Sequence, residues 1–129
     1  MGHSVRHSGF TLIELLITIA VMSALVVIAL PQYSRYMARA RQQDAKAQLM
    51  AIQQAQEAYK LQYGSYTSTV SALTGWKATQ GRYTFSITGA AAGTFAAQAS
   101  GNIDSDATDD VWTIDQDGTL LNTTNDIVS

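Results

Sequence analysis

The chain of 129 residues has no cysteine, one proline and two histidines, and only 14% of its residues are charged. Without cysteine it can form no disulfide, no thiolate nucleophile and no cysteine metal site. Both histidines, His3 and His7, lie in the first nine residues, so the rest of the chain has no imidazole for acid–base catalysis. A catalytic Ser or Asp would lack its usual partner, and we predict that the chain is not an enzyme.

Basic residues are absent from the C-terminal third. All eight Lys and Arg fall within residues 1–82 together with three acids, whereas residues 83–129 carry seven Asp and no base. A domain that binds nucleic acid normally presents a basic face to the phosphates. The net charge of −2 conceals this division, and we expect no nucleic acid partner.

The apolar residues are concentrated near the N terminus. Between Phe10 and Leu30 the only ionisable side chain is Glu14. As a helix this stretch would extend for about 31 Å, which matches the hydrocarbon core of a bilayer. The small residues Ser8 and Gly9 come before the stretch, whereas a secretory signal has its cleavage site after it. Cleavage here would therefore leave the apolar helix as the new N terminus.

The residues Gly9-Phe10-Thr11-Leu12-Ile13-Glu14, followed by LLITIAVMSALVVIALPQY, resemble the N-terminal segment of type IV pilins and their pseudopilin relatives. The resemblance is close over about the first 36 residues and covers the remainder only in general organisation. It implies that a membrane-embedded prepilin peptidase removes residues 1–9 by cutting between Gly9 and Phe10, and then methylates the new amine of Phe10. Glycine suits a protease groove that needs a close-lying, extended chain.

Glu14 is the most unusual single residue of the apolar stretch. An ionisable group inside a membrane helix costs about 3 kcal/mol by insertion scales, so it usually marks function or pairing. No Lys or Arg lies within one helical turn of Glu14. The resemblance implies that Glu14 pairs with the Phe10 amine of a neighbouring subunit and sets the axial register of the filament. The alternative is that its position near the helix start, where the dipole favours a carboxylate, is sufficient explanation.

The resemblance also implies a location and a set of partners. The chain would be a single-pass inner-membrane protein before assembly, and part of an extracellular pilus or a periplasmic pseudopilus afterwards. Its partners would be copies of itself, other pilins, the prepilin peptidase, an inner-membrane assembly platform with a cytoplasmic ATPase, and an outer-membrane secretin. Charge counting conflicts with this orientation, because Arg35, Arg39 and Arg41 follow the apolar stretch while Arg6 alone precedes it. We place the N terminus in the cytoplasm because the cleavage motif is the more specific signal.

The helical pattern continues beyond the apolar stretch. Pro31 removes one backbone donor, and we expect a kink there rather than an end, because residues 32–62 contain no glycine or proline. An apolar stripe with helical spacing, interrupted by Gln56, indicates the face that covers a sheet; its members are Ala45, Leu49, Ile52, Tyr59 and Tyr63. Lys46 and Glu57 lie away from this stripe, and we expect them to face water.

Strand patterns begin after Gly64. Residues 82–88 alternate without error, and residues 94–100 indicate the returning strand of a hairpin. Val111–Asp115 and Thr119–Asn122 indicate a further pair joined at Asp117-Gly118. Three apolar residues are candidates to close this end of the fold in place of a disulfide; they are Trp112, Ile114 and Leu120.

These elements predict an α+β fold. A long N-terminal helix would occupy residues 10–63, and its apolar part, residues 10–30, would span a membrane or lie in a filament core. The C-terminal half of the helix would pack on a small antiparallel sheet of three to four strands within a head of residues 64–129.

Six aspartates fall within fourteen residues of the head and offer the hard oxygen ligands that calcium prefers; they are Asp104, Asp106, Asp109, Asp110, Asp115 and Asp117. They do not form an EF-hand, because a loop that starts at Asp104 has Asp109 where glycine is required and no closing Glu. Major pseudopilins, which the chain resembles, bind calcium in a C-terminal loop, so a site of another kind stays open. Otherwise these residues are solvated turn residues, and the chain needs no cofactor.

We predict from these features a structural subunit of a type IV pilus-like filament. The alternative is a pseudopilin of a type II secretion system, whose short periplasmic filament drives protein export, and the helix does not separate the two. A solitary anchored binding protein fits the topology but leaves Glu14 and the leader unexplained. The sequence has no Gly-rich phosphate loop, so the energy for assembly must come from another protein.

Overall fold

The long helix, α1, spans Leu12–Tyr63 in a computed structural model that describes residues 9–104 and 106–127. It is continuous through Pro31, where the kink stays a prediction. Gly64 follows the last helical residue with a φ of 81° and donates its N–H to the Lys60 carbonyl at 2.7 Å. Glycine favours this left-handed helix end because it has no Cβ to oppose the conformation.

The described chain forms two compact units, one that ends at Ser34 and one that begins at Arg35. In the first unit the apolar side chains of α1 are exposed on all sides, and none of its most apolar 18-residue stretch is buried. The hydroxyls of Thr18 and Ser23 donate to carbonyls four residues earlier, each at 2.7 Å. These polar groups are therefore satisfied inside the helix. By length and composition, this helix can cross a membrane.

The second unit adds a five-stranded antiparallel sheet to the C-terminal half of α1. Each strand pairs with the next one in the sequence, so the sheet is a meander in the order β1-β2-β3-β4-β5. The strands are β1, Thr79–Gln80; β2, Tyr83–Ala90; β3, Phe95–Gly101; β4, Asp110–Asp115; and β5, Leu120–Thr124. A long helix packed on an antiparallel sheet confirms the predicted α+β fold.

The sheet has one strand more than the predicted maximum of four. Strand β1 is only two residues long, and Gly81, with a φ of 63°, turns the chain so that Gln80 pairs with Tyr83. Two residues are too few to show an alternating pattern, and β1 therefore leaves no signal in the sequence.

The core lies between α1 and one face of the sheet. Ala45, Leu49 and Ile52 of the predicted stripe are fully buried. They belong to one cluster with buried residues of the sheet, namely Tyr83, Phe85, Phe95, Ala97, Ala99 and Ile114. Tyr59 is half-buried, but Tyr63 is 61% exposed, so the covered face of α1 ends at Tyr59, one turn before the predicted end of the stripe. The Tyr63 ring instead contacts the Tyr59 ring, at 4.4 Å between centroids.

Gln56, which interrupts the apolar stripe in the sequence, is completely buried. Its Nε2 donates to the Thr67 carbonyl at 2.8 Å, and its Oε1 accepts the Thr67 N–H at 3.0 Å. The side-chain amide thus satisfies two backbone groups that would otherwise be buried at a cost. These two hydrogen bonds hold the segment after α1 against the helix.

Lys46 and Glu57 are half-buried, which contradicts the expectation that they simply face water. The Lys46 ammonium lies 4.2 Å from the centroid of the Trp112 ring, a cation–π contact between α1 and β4. The Tyr66 hydroxyl donates to Glu57 Oε1 at 2.6 Å, and this bond raises the pKa of Tyr66. Helical spacing shows that both residues lie off the apolar stripe, but it cannot show that the rings of Trp112 and Tyr66, which lie outside α1, contact them.

The C-terminal strands are closed by apolar packing, as the sequence predicts. Ile114 of β4 is 1% exposed, and Leu120, its partner on β5, packs against the same core. Trp112 also packs there, with its Nε1 buried and unpaired among the described residues. Contacts from these three residues hold the edge of the sheet without a covalent link.

Candidate functional site

The predicted processing point lies ahead of α1. Gly9 and Phe10 are exposed and non-helical, and Phe10 is 84% exposed. A protease can engage such a segment because its backbone is not committed to helical hydrogen bonds. Residues 1–8 of the predicted leader lie outside the described residues, and cleavage and methylation stay predictions.

Thr11 and Glu14 form a reciprocal pair at the start of α1. The N–H and the hydroxyl of Thr11 both donate to Glu14 Oε2, each at 2.8 Å, and the Glu14 N–H donates to Thr11 Oγ1 at 3.3 Å. This arrangement is a capping box, which supplies partners that the first helical turn lacks. The Thr-x-x-Glu spacing of a capping box is present in the sequence. The charge of Glu14, considered alone, does not indicate that Thr11 is its partner.

The capping box defines what Glu14 can do chemically. Its carboxylate lies in the first turn of α1, where the helix dipole favours a negative charge, as the alternative explanation proposes. Both donors of Thr11 bind the same oxygen, and an ionised carboxylate accepts more hydrogen bonds than these two. The side chain is therefore held in place and retains capacity for a cation. Pairing with the Phe10 amine of another subunit stays a prediction.

The structure separates the six aspartates that the sequence offers as calcium ligands. Asp115 Oδ1 accepts the N–H groups of Asp117 and Thr119 at 3.0 and 2.9 Å, so Asp115 and Asp117 belong to the turn between β4 and β5. Asp109 accepts a hydrogen bond from the Ser100 hydroxyl at 3.0 Å. These three carboxylates are not brought together with the acidic cluster described below.

Asp110 is fully buried between the helix and the sheet. Its Oδ1 accepts bonds from Gln42 Nε2 at 2.7 Å, Asn122 Nδ2 at 3.1 Å and the Asp126 N–H at 3.3 Å. Its Oδ2 accepts the Tyr83 hydroxyl at 2.6 Å. Burial, followed by this bond to the carboxylate, raises the pKa of Tyr83 well above its ordinary value. Both carboxylate oxygens of Asp110 therefore accept hydrogen bonds from α1, from the sheet and from the segment after β5. Asp110 does not face a ligand site.

Asp104 and Asp106 do come together, and their partner is Asp126, which the sequence did not single out. One carboxylate oxygen of each residue lies within 4.8 Å of the other two. Asp126 is 2% exposed, and its Oδ2 accepts the Ile103 N–H at 3.0 Å. Its Oδ1 is buried with no hydrogen-bond partner among the described residues. Burial and the two neighbouring carboxylates raise the pKa of Asp126.

Local hydrogen bonds hold Asp104 and Asp106, the two members of the acidic cluster that lie between β3 and β4. Asp104 Oδ1 accepts the Asp106 N–H at 2.8 Å, and Asp106 Oδ1 accepts the Thr108 N–H at 2.6 Å. Arg41 of α1 donates to the Ile103 carbonyl and ties the loop to the helix. Three carboxylates held together repel one another, and a buried oxygen without a partner is costly. A divalent cation that prefers oxygen ligands, such as calcium, fits this donor set.

A shallow cavity of about 300 Å³ lies beside the end of α1. Its lining includes Ala55, Tyr59, Gln62, Tyr63, Leu73 and Thr74. These side chains offer an apolar wall and neutral hydrogen-bonding groups, and none of the lining residues is an Asp, Glu, His, Lys or Arg.

Two family models together match most of the chain. The model described as "Prokaryotic N-terminal methylation motif" matches residues 5–30, and the model described as "Type IV minor pilin ComP, DNA uptake sequence receptor" matches residues 31–110. The second match alone covers well over half of the sequence.

Curated relatives are pilins and a secretion protein. The chain is 39% identical over 89 residues to the type IV wide pilus major component PilA4 of Thermus thermophilus, spanning 67% of this chain and 68% of that protein. It is 34% identical over 87 residues to the type IV major pilin protein PilA of Myxococcus xanthus, spanning 67% of this chain and 39% of that protein. It is also 32% identical over 68 residues to the type II secretion system core protein G of Aeromonas hydrophila, spanning 53% and 48% of the two chains.

A solved structure shows the same fold. The non-core minor pilin PilV of Neisseria meningitidis superposes with a TM-score of 0.56 and 23% identity, over 68% of this chain and 88% of that one. Because the family model for residues 31–110 covers most of the chain and PilA4 aligns over two thirds of its own length, this chain belongs to the type IV pilin family.

Proposed function

We propose that this chain is a structural subunit of a type IV pilus-like filament and that it polymerises through the apolar part of α1. The observation that carries the proposal is exposure, because large apolar side chains from Leu12 to Leu30 are more than half exposed within the chain. Burying one such side chain is favourable by about 1.5–3 kcal/mol. The surface therefore needs lipid before assembly, and other pilin helices can cover it in the filament.

The location and the machinery are part of the same proposal. The subunit is stored as a single-pass protein of the inner membrane and then enters an extracellular pilus. Prepilin peptidase removes the leader and methylates Phe10, and an inner-membrane platform with a cytoplasmic ATPase drives assembly, because the chain has no phosphate-binding loop of its own. An outer-membrane secretin provides the exit, and other pilins join the filament. Membership of the type IV pilin family supports each of these steps.

Glu14 supplies the register of the filament in this proposal. Cleavage after Gly9 creates a cationic amine at Phe10, four residues before Glu14. Inside a filament core of low dielectric, an amine and a carboxylate attract strongly, and each would be costly alone. The capping box with Thr11 positions the carboxylate for the incoming amine and satisfies part of its hydrogen-bonding capacity meanwhile.

Two measurements test this proposal. Mass spectrometry of assembled material is expected to give an N terminus at a methylated Phe10, and Glu14→Gln is expected to insert in the membrane but to lose filaments or their order. Glu57→Gln, on the same helix but outside the apolar stretch, is the matched control and should assemble normally. Filaments built from chains that begin at Met1, or a normal filament yield from Glu14→Gln, would contradict the proposal.

The alternative within the family is a pseudopilin of a type II secretion system, whose periplasmic filament is short. The similarity to secretion system core protein G supports it, although the match spans only 48% of that protein. Deletion of the chain separates the two functions. A pilus subunit is required for surface filaments seen by electron microscopy, whereas a pseudopilin is required for export of a secreted protein and not for surface filaments.

We also propose that the acidic cluster of Asp104, Asp106 and Asp126 binds calcium. The unpartnered, buried Oδ1 of Asp126 supports this proposal, because it lies among carboxylate oxygens and has no donor among the described residues. Calcium would neutralise the repulsion of these groups and stabilise the head by about 2.7 kcal/mol at a concentration one hundred times its Kd.

A calcium titration of the full chain in detergent tests the site. Calcium is expected to raise the melting temperature of the wild type. It should raise that of Asp117→Asn equally, because Asp117 lies at the β4–β5 turn. The melting temperature of Asp126→Asn should not change. An unchanged melting temperature in the wild type, or an equal rise in Asp126→Asn, would remove calcium from the proposal.

DNA reception, which the description of one matched family names, is not proposed for this chain. DNA-binding proteins neutralise phosphates with Lys and Arg, whereas residues 83–129 contain seven Asp and no base. Retention of duplex DNA by purified filaments, with an affinity that falls steeply as salt is added, would contradict this expectation.

A further inference from the structure

Three arginines follow the apolar stretch, and neither the filament nor the leader accounts for them. The structure places these three arginines in different environments. Arg41 is half-buried and donates to the Ile103 carbonyl in the head. Arg35 and Arg39 are exposed. Two cations on the helix are therefore available to a partner outside the chain.

Arg35 and Arg39 lie four residues apart on α1 and therefore on the same side of the helix. No carboxylate lies within one helical turn of either residue, because the chain has no Asp or Glu between Glu14 and Asp44. In an α-helix the Cα–Cβ bonds tilt toward the N terminus, and long side chains generally follow that direction. Tyr36, between them in sequence, is 70% exposed and has the amphipathic ring that favours a membrane–water interface.

Sequence distance places this pair close to the lipid surface. Arg35 and Arg39 come five and nine residues after Leu30 on α1, which corresponds to about 7.5 and about 13.5 Å of helical rise. The headgroup layer extends about 5–8 Å beyond the hydrocarbon core on each side. When the apolar stretch spans the bilayer, the rise to Arg35 falls within this layer, and the long, flexible side chain of Arg39 can extend to it.

We propose that Arg35 and Arg39 bind the phosphate of an anionic phospholipid while the subunit is stored in the membrane, a proposal that rests on the proposed membrane-bound state. Guanidinium groups match phosphate geometry through paired hydrogen bonds. The positive charges of the pair and its short sequence distance from the candidate membrane span identify the lipid as the occupant. The contact would hold the subunit at a fixed depth, and assembly would have to break it.

Lipid binding to the full-length chain in detergent micelles tests the proposal, with dioleoyl phosphatidylglycerol and dioleoyl phosphatidylcholine titrated separately and bound lipid counted by native mass spectrometry. The wild type is expected to prefer phosphatidylglycerol. Each arginine near a surface contributes about a 5-fold preference for anionic lipid, so the double variant Arg35→Gln and Arg39→Gln should lose about 25-fold. Glutamine forms helices well, and circular dichroism checks that α1 is retained.

The matched control is the double variant Lys77→Gln and Arg82→Gln, which removes two exposed charges from the head around β1. It should change the affinity for phosphatidylglycerol less than 2-fold. Equal binding of the two lipids by the wild type, or an equal loss in both double variants, would overturn the proposal. So would an Arg35→Gln and Arg39→Gln variant that keeps its lipid but loses filaments, since the arginines would then bind another copy.

Failure of the proposed function gives a different result. If the wild-type chain does not enter vesicles of either lipid, the membrane-bound state itself is wrong. If it enters both equally well and shows no preference in micelles, the membrane-bound state stands and the phosphate contact is wrong.

Discussion

The Tyr83 hydroxyl donates a 2.6 Å hydrogen bond to Oδ2 of Asp110, and both residues are buried. This bond joins the first residue of β2 to the first residue of β4, across β3. The other Asp110 oxygen accepts from Gln42 on α1, so one carboxylate holds the helix and the sheet together. The head has no disulfide, and the hydrogen bonds of the buried Asp110 carboxylate connect the helix and the sheet instead.

Tyr83→Phe is expected to destabilise the head, because it removes one donor from a buried carboxylate and adds nothing in its place. The expected cost is about 1–3 kcal/mol, the range for a buried acceptor left without its partner. Chemical denaturation of the full chain in detergent, followed by near-ultraviolet circular dichroism of the aromatic residues, measures it.

Tyr66→Phe is the matched control for this prediction. It removes the same hydroxyl from a bond of the same length to Glu57, but Glu57 is half-buried and water can replace the donor. The expected loss is about 1 kcal/mol or less. Equal losses in the two variants would show that Asp110 has no special role in the head.

The acidic cluster predicts an unusual pH dependence. Burial and the neighbouring carboxylates raise the pKa of Asp126 above its ordinary value of 3.8, so the folded head holds this proton more tightly than the unfolded chain. The contribution of Asp126 to stability is therefore fully present below pH 3.8 and is lost as the pH rises through the folded pKa. Asp126→Asn, which carries no charge, should be more stable than the wild type at pH 7 in a chelator, and the difference should shrink toward pH 4.

Melting temperatures of the wild type and Asp126→Asn, measured as a difference at each pH, isolate this effect from the other carboxylates. Asp109→Asn is the control, because Asp109 is exposed and bonded to Ser100 rather than placed in the cluster. A difference in melting temperature that stays constant between pH 4 and 7 would show that burial and the neighbouring carboxylates do not perturb the ionisation of Asp126. Calcium at saturation should abolish the advantage of Asp126→Asn if the cluster holds the ion.

Local patterns in the sequence predict the elements, while contacts between distant residues do not follow from them. The stripe of Ala45, Leu49 and Ile52 and the alternation of β2 depend on neighbours a few positions away, and both were confirmed. Gln42 and Asp110 lie 68 positions apart, and no periodicity indicates that one will bind the other.

The candidate sites show the same division. The Asp104-x-Asp106 pair is visible in the sequence, but its partner Asp126 arrives only after two further strands. Gln56 appears in the sequence as a defect of the apolar stripe, although it satisfies the backbone of Thr67. Polar residues on an otherwise apolar helix face are therefore the positions where pattern alone is least informative.

Thr11→Val tests whether the capping box matters for assembly. The change keeps the branched shape but removes one donor to Glu14 and the acceptor for the Glu14 N–H. Loss of a cap costs about 0.5–2 kcal/mol, so the first turn should open more often. Hydrogen exchange of the amides near Glu14, measured on the full chain in micelles, should be faster, and the yield of filaments should fall.

Thr11→Ser restores the hydroxyl without the methyl group and should return both readouts toward the wild type. If exchange accelerates in Thr11→Val while filaments form normally, the cap stabilises the helix start but does not position Glu14 for assembly. If neither readout changes, the capping box has no role in the mature subunit.

Gly101 at the end of β3 gives the sharpest steric prediction. A Cβ built on this residue would lie 2.2 Å from the Arg82 carbonyl oxygen and 3.0 Å from the Tyr83 Cα, both of which are backbone atoms that cannot move aside alone. Gly101→Ala should therefore separate β2 from β3 locally and destabilise the head by about 1–3 kcal/mol. Gly93→Ala, in the turn between the same strands, meets no atom within 4 Å and should leave stability within about 0.5 kcal/mol of the wild type. Denaturation midpoints of the two variants decide the matter, since equal midpoints would mean that β2 and β3 are not packed as closely at Gly101 as the structure shows.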